Sequence, residues 1–475
     1  MGRKPIYQEV YNQLRYQILS GEWTIGSMLP PERKLSSQLG VSRNTVVKAF
    51  DELQAEGFIE SRMGSGRYVE PLPPERSLGR INWQEVSQLS ALQTTPCNMA
   101  EMLNKPVLSP ELINFAHGDG GKHTWNFSQF AEYVKRAAEK PHSYYFHTIS
   151  GYLPLREWIV KQMGVSQIHS PDQVMITSGS QEALFFIATL LAKPGDTIAT
   201  EMPTYFGSLQ LFQSLGLRII PLPMDKDGMK VDVLEGVLAR YRPKFVYTVP
   251  TFHNPTGVTL SLARRKRLVA LSEQYRIPII EDDAYRHLHM GKEPPPPLKS
   301  FDDSGNIIYV NTFSKILFPG LRIGWIAASR PFIQMCWRMK ELSITTNTLG
   351  QIAIADFLME QNIEKHLAKV RAIYRTQSQA MQKHLVRMKP LGVHFEPTSG
   401  GFYYWVSLPE GMNARELMQR CHQRGLSIVS GDMFLLREAI QPYVRLCYSH
   451  ETEEEIARGM EIMDELLREG KEREV

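Results

Sequence analysis

Between Val174 and Val310 the chain repeats a short apolar run followed by a helix-length stretch, and this alternation limits the available folds more than any other feature. Val174-Met175-Ile176-Thr177, Thr197-Ile198-Ala199-Thr200, Arg218-Ile219-Ile220, Phe245-Val246-Tyr247-Thr248, Ile277-Pro278-Ile279-Ile280 and Ile307-Ile308-Tyr309-Val310 read as strands, with helical segments such as Leu262 to Tyr275 between them. Such alternation predicts a mostly parallel sheet covered by helices. Ligands of these sheets bind at the carboxyl ends of the strands. At 475 residues, 43% of them apolar, the chain is long enough for two or three domains. Its longest apolar stretch, near Ala183 to Ala192, is too short to span a bilayer. No basic segment followed by an apolar run opens the chain, so neither a membrane association nor a signal peptide is expected. Cys97, Cys336, Cys421 and Cys447 lie far apart without ligand spacing, which predicts reduced thiols in a cytosol and no metal site.

The first seventy residues follow a different pattern. Ile6, Val10, Leu14 and Ile18 recur at i, i+4 and predict one helix with a buried face, ended near Gly21. After a turn at Gly26 and Pro30, Pro31 opens a short helix, Glu32 to Leu39, closed by Gly40. Ser42 is the N-cap of the next helix, whose inward residues are read as Val46, Val47, Phe50 and Leu53. This is the helix–tight turn–helix layout in which the second helix enters a major groove. Arg43 and Asn44 are residue types that read guanine and adenine edges, and Ser42 and Thr45 are types that bind phosphate. Phe58-Ile59-Glu60 and Arg67-Tyr68-Val69 read as two strands joined through Arg62, Gly64, Ser65 and Gly66, a basic, flexible tip able to reach the DNA backbone or minor groove. Charge alone argues little: nine Lys/Arg against eight Asp/Glu leave residues 1–70 at +1.

These features resemble the winged helix-turn-helix of GntR-type bacterial regulators. The resemblance is carried by Leu29-Pro30-Pro31-Glu32-Arg33, Leu39-Gly40-Val41-Ser42-Arg43-Asn44-Thr45-Val46, Leu53-Gln54-Ala55-Glu56-Gly57-Phe58 and Gly64-Ser65-Gly66. It implies contacts to double-stranded operator DNA from Arg33, Ser42, Arg43, Asn44, Thr45 and the wing, Arg62 and Ser65 included. Pro31 stands where that family often has serine, removing one hydroxyl–phosphate contact. Residues 71–111 change character: Pro71, Pro73 and Pro74 favour an extended exit. Little periodicity follows beyond a short helix near Trp83 to Leu92, so this stretch is expected to tether residues 1–70 to a domain over 112–475.

In the large domain, polar residues of chemical interest fall just after the expected strands. Ser178-Gly179-Ser180-Gln181 starts a helix, an anion site in principle and an ordinary helix start otherwise. Tyr205 is placed either to stack on a flat ring or to pack. Asn254-Pro255-Thr256-Gly257 is either a plain turn or an amide donor to a phenolate oxygen. Asp282, with Tyr285 three residues on, is a carboxylate able to keep a pyridine nitrogen protonated. Lys315, in Asn311-Thr312-Phe313-Ser314-Lys315, is a candidate Schiff-base former. Thr312, Ser314 and Arg322 are suited to one phosphate.

In this order the set resembles the fold-type I pyridoxal-phosphate enzymes of the aspartate aminotransferase superfamily. The resemblance implies that Lys315 links covalently to pyridoxal 5'-phosphate and that Asp282 pairs with the pyridine nitrogen. Asn254 and Tyr285 meet the 3-hydroxyl, Tyr205 stacks on the ring, and Ser180, Gln181, Thr312, Ser314 and Arg322 surround the phosphate. Arg445, in Pro442-Tyr443-Val444-Arg445-Leu446, matches the arginine that receives an α-carboxylate, and Tyr145 matches one that reaches a partner subunit's phosphate. Asn114-Phe115-Ala116-His117-Gly118 matches the family's Phe-x-x-Gly segment, with Gly120 where proline is frequent. A smaller C-terminal α/β subdomain is expected over about residues 360–475. The two halves together resemble MocR-type regulators of the GntR class. That implies a homodimer with crossed DNA-binding domains, a small amine, amino acid or the vitamer as effector, and control of vitamin B6, amino-acid or amine metabolism genes. A working aminotransferase with an appended DNA-binding module fits the same residues.

Overall fold

The computed structural model describes residues 6–20, 22–62, 66–71, 112–121, 124–144, 148–162, 165, 167–436 and 442–473. They belong to two units, divided between Pro96 and Cys97. Apart from Pro71, the expected tether and its short helix near Trp83 lie outside the described residues.

The first unit is built from α1 (Ile6–Ser20), α2 (Glu32–Leu39), α3 (Arg43–Ala55) and the strands β1 (Ile59–Arg62) and β2 (Gly66–Val69). Gly40 ends α2 in the left-handed region at φ 65°, where a side chain is disfavoured. Two residues later the Ser42 side chain accepts the Thr45 N–H at 3.2 Å and starts α3. The two strands pair antiparallel, with Ile59 opposite Val69 and Arg62 opposite Gly66. Val10, Leu14, Ile18, Leu35, Val46, Phe50, Leu53, Phe58 and Val69 close one core. Two expectations are corrected. Ile6 is 62% exposed, so the α1 stripe begins at Val10. Ala49, not Val47, completes the buried face of α3, because positions three, four and seven after Val46 share its side of a helix and the next residue does not.

The second unit runs through β3 (Ile113–Asn114), β4 (Val174–Thr177), β5 (Thr197–Met202), β6 (Arg218–Asp225), β7 (Gly228–Met229), β8 (Val246–Thr248), β9 (Ile279–Asp282), β10 (Ile307–Thr312) and β11 (Gly324–Ala327). Seven of these with β4 at one edge form an eight-stranded sheet, order β4-β11-β10-β9-β8-β5-β6-β7. Strands β10, β9, β8, β5 and β6 are mutually parallel, and β11 is antiparallel to both neighbours. Helices including Ser180–Leu191 and Leu262–Tyr275 connect them. The Ile277 strand begins two residues later than its apolar run, at Ile279, and extends to Asp282. Asp282 is therefore the last strand residue, not the first loop residue.

The C-terminal region forms a second, antiparallel sheet, order β12-β13-β16-β15, from β12 (His394–Phe395), β13 (Tyr403–Ser407), β15 (Val429–Ser430) and β16 (Tyr443–Cys447). Here β14 (Leu426–Ser427) pairs in parallel with β3. That pairing, and the Asn114 N–H donated to Glu451 Oε1 at 2.6 Å, bind the start of the unit to its end. Among the described residues, no helix is long and apolar enough to cross a membrane.

Candidate functional site

A cavity of about 210 Å³ opens where the carboxyl ends of β5, β8, β9 and β10 meet the 116–119 segment and the second sheet. Ser180, Gln181, Tyr205, Asn254, Asp282, Tyr285, Thr312, Ser314, Lys315, Arg322 and Arg445 all line it. They come from strand ends, a helix start and the middle of β16, far apart along the chain. Tyr145 lies outside the described residues.

One wall is the start of helix Ser180–Leu191. Its N-cap, Gly179, has φ 89°, and a Cβ there would stand 2.6 Å from the Arg322 guanidinium. Only glycine lets the backbone and Arg322 approach this closely. Arg322 is exposed and donates to the Ser178 carbonyl at 3.1 Å. Thr312 Oγ1 donates to Ser314 Oγ at 2.9 Å and accepts the Ser314 N–H. Helix-start N–H groups, two hydroxyls and a guanidinium on one wall form a site for a phosphate-type anion.

The floor carries Asp282. Its Oδ2 accepts from the Tyr247 hydroxyl at 3.0 Å, while Oδ1 is buried with no hydrogen-bond partner among the described residues. Burial, offset in part by that hydroxyl, pushes the Asp282 carboxyl up to about 6. A buried carboxylate with an unengaged lone pair in a cavity fits a protonated ring nitrogen. Asn254 Nδ2 donates to the Tyr285 hydroxyl at 3.5 Å, and that hydroxyl is 3.0 Å from the Tyr403 hydroxyl. Arg445, 2% exposed, donates through Nη1 to Asn254 Oδ1 at 3.0 Å and through Nη2 to the Ala116 carbonyl. Its guanidinium lies 4.4 Å from the Tyr403 ring centre, and Nε is buried without a partner.

Lys315 Nζ donates to the Gly118 carbonyl at 2.7 Å and to Asp119 Oδ1 at 3.0 Å. Burial pulls the Lys315 ammonium down, but the Asp119 carboxylate, with Tyr403 and Tyr205, together hold the amine above the ordinary lysine value. The residues present thus fit pyridoxal 5'-phosphate: an amine for its aldehyde, an acceptor for its nitrogen, polar groups for its phenolic oxygen and an anion site for its phosphate. Sequence reasoning missed His117, Asp119, Phe206, Tyr403 and Met433 in the cavity lining. The only signal for the first two was their place in or beside the Asn114–Gly118 segment. Gly118 there is obligatory, because a Cβ would fall 1.8 Å from the Tyr403 hydroxyl.

In the first unit, Ser42, Arg43 and Asn44 are exposed at the start of α3, Thr45 is half-buried beside them, and Arg33 is exposed on α2. Arg43 is tied to Glu32 (Nε–Oε2 2.9 Å), which also takes Arg67 at 2.5 Å. Arg67 stacks on Phe50 at 4.8 Å, so this basic wing residue fastens the hairpin to the helices. Arg62 lies over the Tyr68 ring and pairs with Glu60 and Glu70. Ser65 lies outside the described residues.

Comparison with known proteins agrees with both halves. Residues 6–69 match the bacterial regulatory proteins of the gntR family, and residues 110–463 match aminotransferase class I and II. The chain is 30% identical to the uncharacterized HTH-type transcriptional regulator YdfD of Bacillus subtilis, covering 97% of this chain and 96% of that one. It is 34% identical to aromatic-amino-acid aminotransferase 1 of Thermococcus litoralis, covering 82% and 95%. Among solved structures, LysN, the alpha-aminoadipate aminotransferase of Thermus thermophilus complexed with N-(5'-phosphopyridoxyl)-L-leucine, matches with a TM-score of 0.76 at 30% identity, covering 82% of this chain and 99% of that one. An N-terminal GntR-type winged helix-turn-helix joined to a fold-type I aminotransferase-like domain places this chain in the MocR-type subfamily of GntR regulators.

Proposed function

We propose that the chain binds an operator through its first unit and holds pyridoxal 5'-phosphate on Lys315 in its second, and that a small amine, an amino acid or the vitamer itself alters operator binding. The observation that carries this reading is that every described cofactor residue chosen from the sequence lines one cavity, with an unpartnered Asp282 oxygen among them. When bound, the cofactor supplies an aldehyde that condenses with a primary amine and a pyridine ring that withdraws electrons once protonated. Asp282 Oδ1 is assigned to the ring nitrogen and Tyr205 to the ring face. Asn254 and Tyr285 are assigned to the phenolic oxygen. Ser180, Gln181, Thr312, Ser314 and Arg322 are assigned to the phosphate, with Tyr145 serving the partner subunit's site in a homodimer whose DNA-binding domains cross. Arg445 receives a carboxylate after exchanging Asn254 and the Ala116 carbonyl for it. Lys315 must give up a proton before it reacts, and the Asp119 pair sets how readily it does so.

On DNA, Arg43 and Asn44 are assigned to base edges and Arg33, Ser42, Thr45, Arg62 and Ser65 to the backbone. Glu32 holds the Arg43 fork in a fixed direction in the free protein. The genes controlled belong to vitamin B6, amino-acid or amine metabolism. The test is footprinting and an operator titration with cofactor-free protein, with pyridoxal phosphate, and with cofactor plus an amine panel. A protected site whose affinity shifts with cofactor or with one amine supports the proposal. Absence of any protected site refutes it.

A second reading, an active aminotransferase with an appended DNA-binding module, is favoured by the presence of Lys315 and Arg445 in the same cavity. Steady turnover of an amino acid and 2-oxo acid pair, with operator binding unmoved by any ligand, supports it instead.

A further inference from the structure

Behind the cavity floor, one residue acts on Asp282 without lining the cavity itself. Strands β8 and β9 run parallel with Tyr247 opposite Ile280. Asp282, two residues on from Ile280, therefore lies on the same face of the sheet, one step nearer the cavity. The Tyr247 ring is fully buried and packed edge-on against Phe212, with ring centres 5.4 Å apart and planes at 74°. From there its hydroxyl spans the step and donates to Asp282 Oδ2 at 3.0 Å. That leaves Oδ1, buried without a hydrogen-bond partner among the described residues, as the oxygen for the cavity. Tyr247 itself is not among the lining residues.

Between Asp282 and a ring nitrogen, one proton has two places. Either a carboxylate faces a protonated nitrogen, or a carboxylic acid faces a neutral one. Only the first arrangement lets the ring withdraw electrons. Burial and the neighbouring Asp283 charge favour the second, because both penalise the carboxylate. The Tyr247 hydroxyl, the Ala284 N–H and the Lys315 charge favour the first. A hydroxyl donates about twice as strongly to a carboxylate as to a neutral oxygen, so the Tyr247 bond weights the balance toward the ionised pair. Burial and the Asp282 charge hold the Tyr247 phenol well above its ordinary value, so it remains a donor.

We propose that Tyr247 is a positioning residue that turns Asp282 Oδ1 toward the ring nitrogen and keeps the shared proton on that nitrogen. This rests on the cofactor reading above and adds to it a residue that touches neither cofactor nor effector.

The test is nitrogen NMR of the full-length protein, near neutral pH, loaded with pyridoxal phosphate isotopically labelled at the ring nitrogen. The free labelled cofactor at low and high pH supplies the protonated and unprotonated reference positions. The wild-type resonance should lie near the protonated position. Tyr247→Phe keeps the ring and its packing on Phe212. It should shift the balance roughly ten- to a hundredfold toward a protonated Asp282, the range of a hydrogen bond to a charged group, and move the resonance toward the unprotonated position. Phe212→Leu loosens the packing and keeps the hydroxyl, so its resonance should stay near that of the wild type. A Tyr247→Phe resonance that matches the wild type, an equal shift in Phe212→Leu, or an unprotonated nitrogen in the wild type overturns the proposal. Asp282→Asn separates the two levels, since it should bring the resonance to the unprotonated position. If Asp282→Asn moves the resonance and Tyr247→Phe does not, only this inference falls. If Asp282→Asn leaves it unmoved, or wild-type protein never forms the borohydride-trapped Lys315 adduct, the cofactor reading and this inference fall together.

Discussion

Replacing Glu201 by Gln should flatten the pH dependence of stability of the cofactor-free protein. Glu201 lies on β5, 2% exposed, in the wall behind Asp282. One carboxyl oxygen is held by the Thr248 hydroxyl, and the other is buried with no hydrogen-bond partner of good geometry among the described residues. Burial pushes this carboxyl from an ordinary 4.5 to about 7. The folded-state value lies above the unfolded one, so the folded state binds the proton more tightly. The associated stability is fully present below about 4.5 and is lost as pH rises through about 7. Integrating between pH 6 and 8 with those two values gives a loss of about 1.3 kcal/mol from this group. Asp282, raised to about 6 mainly by burial, acts in the same direction. Wild-type protein should therefore weaken across this window, and Glu201→Gln should remove about 1.3 kcal/mol of the decline while keeping the Thr248 bond. Urea denaturation at pH 6, 7 and 8, followed by fluorescence of the buried Trp325, measures it. Parallel pH dependences for wild type and variant would show that Glu201 is ionised alike in both states and refute the argument.

Lys315→Ala should abolish borohydride-trapped cofactor, and should lower the thermal midpoint of the cofactor-free protein modestly because Asp119 loses its cation; an adduct on another lysine counts against the assignment. Gly118→Ala should reduce cofactor loading measured by absorbance near ~420 nm, because the new methyl must displace the Tyr403 hydroxyl that supports Tyr285; full loading would mean the segment is freer than its packing implies. Ser42→Ala should speed amide exchange in α3 about fivefold, the effect of losing about 1 kcal/mol of N-cap stabilisation. Arg43→Ala should cost about 1–3 kcal/mol of discrimination between operator and random duplex, whereas Arg33→Ala should weaken both similarly, as competition gel-shift titrations can measure.

Features set by neighbouring residues were legible in the sequence, and features set by distant ones were not. The bounds of Glu32–Leu39, Arg43–Ala55 and Leu262–Tyr275 follow from local stop and start chemistry, such as left-handed Gly40 and the Ser42 cap. Lys315, Asp282 and Asn254 were legible for a related reason. Each ends or follows a strand of the parallel sheet, and parallel strands deliver their carboxyl ends to one place. Ile6 misled because apolar character at helical spacing does not guarantee a neighbour to pack against, and Val47 because the residue after Val46 faces another side of the helix. Asp119 and Tyr403 were invisible for a deeper reason. Asp119 reaches Lys315 across 196 residues of chain, and Tyr403 reaches Tyr285 across 118, the latter from a strand of the antiparallel sheet. Neither position carries periodicity, capping chemistry or a charge pattern that points to its partner. The place of Asp119 is set by β3 pairing with β14, which draws the 113–121 segment over the strand ends, and that of Tyr403 by β13 pairing with β16. The parallel sheet thus gathers Asn254, Asp282, Thr312 and Lys315 at one place, and the long-range closure brings Asp119, Tyr403 and Arg445 to them. Asp119 enters by that closure, which is why it is found in the three-dimensional arrangement and not in the motif order.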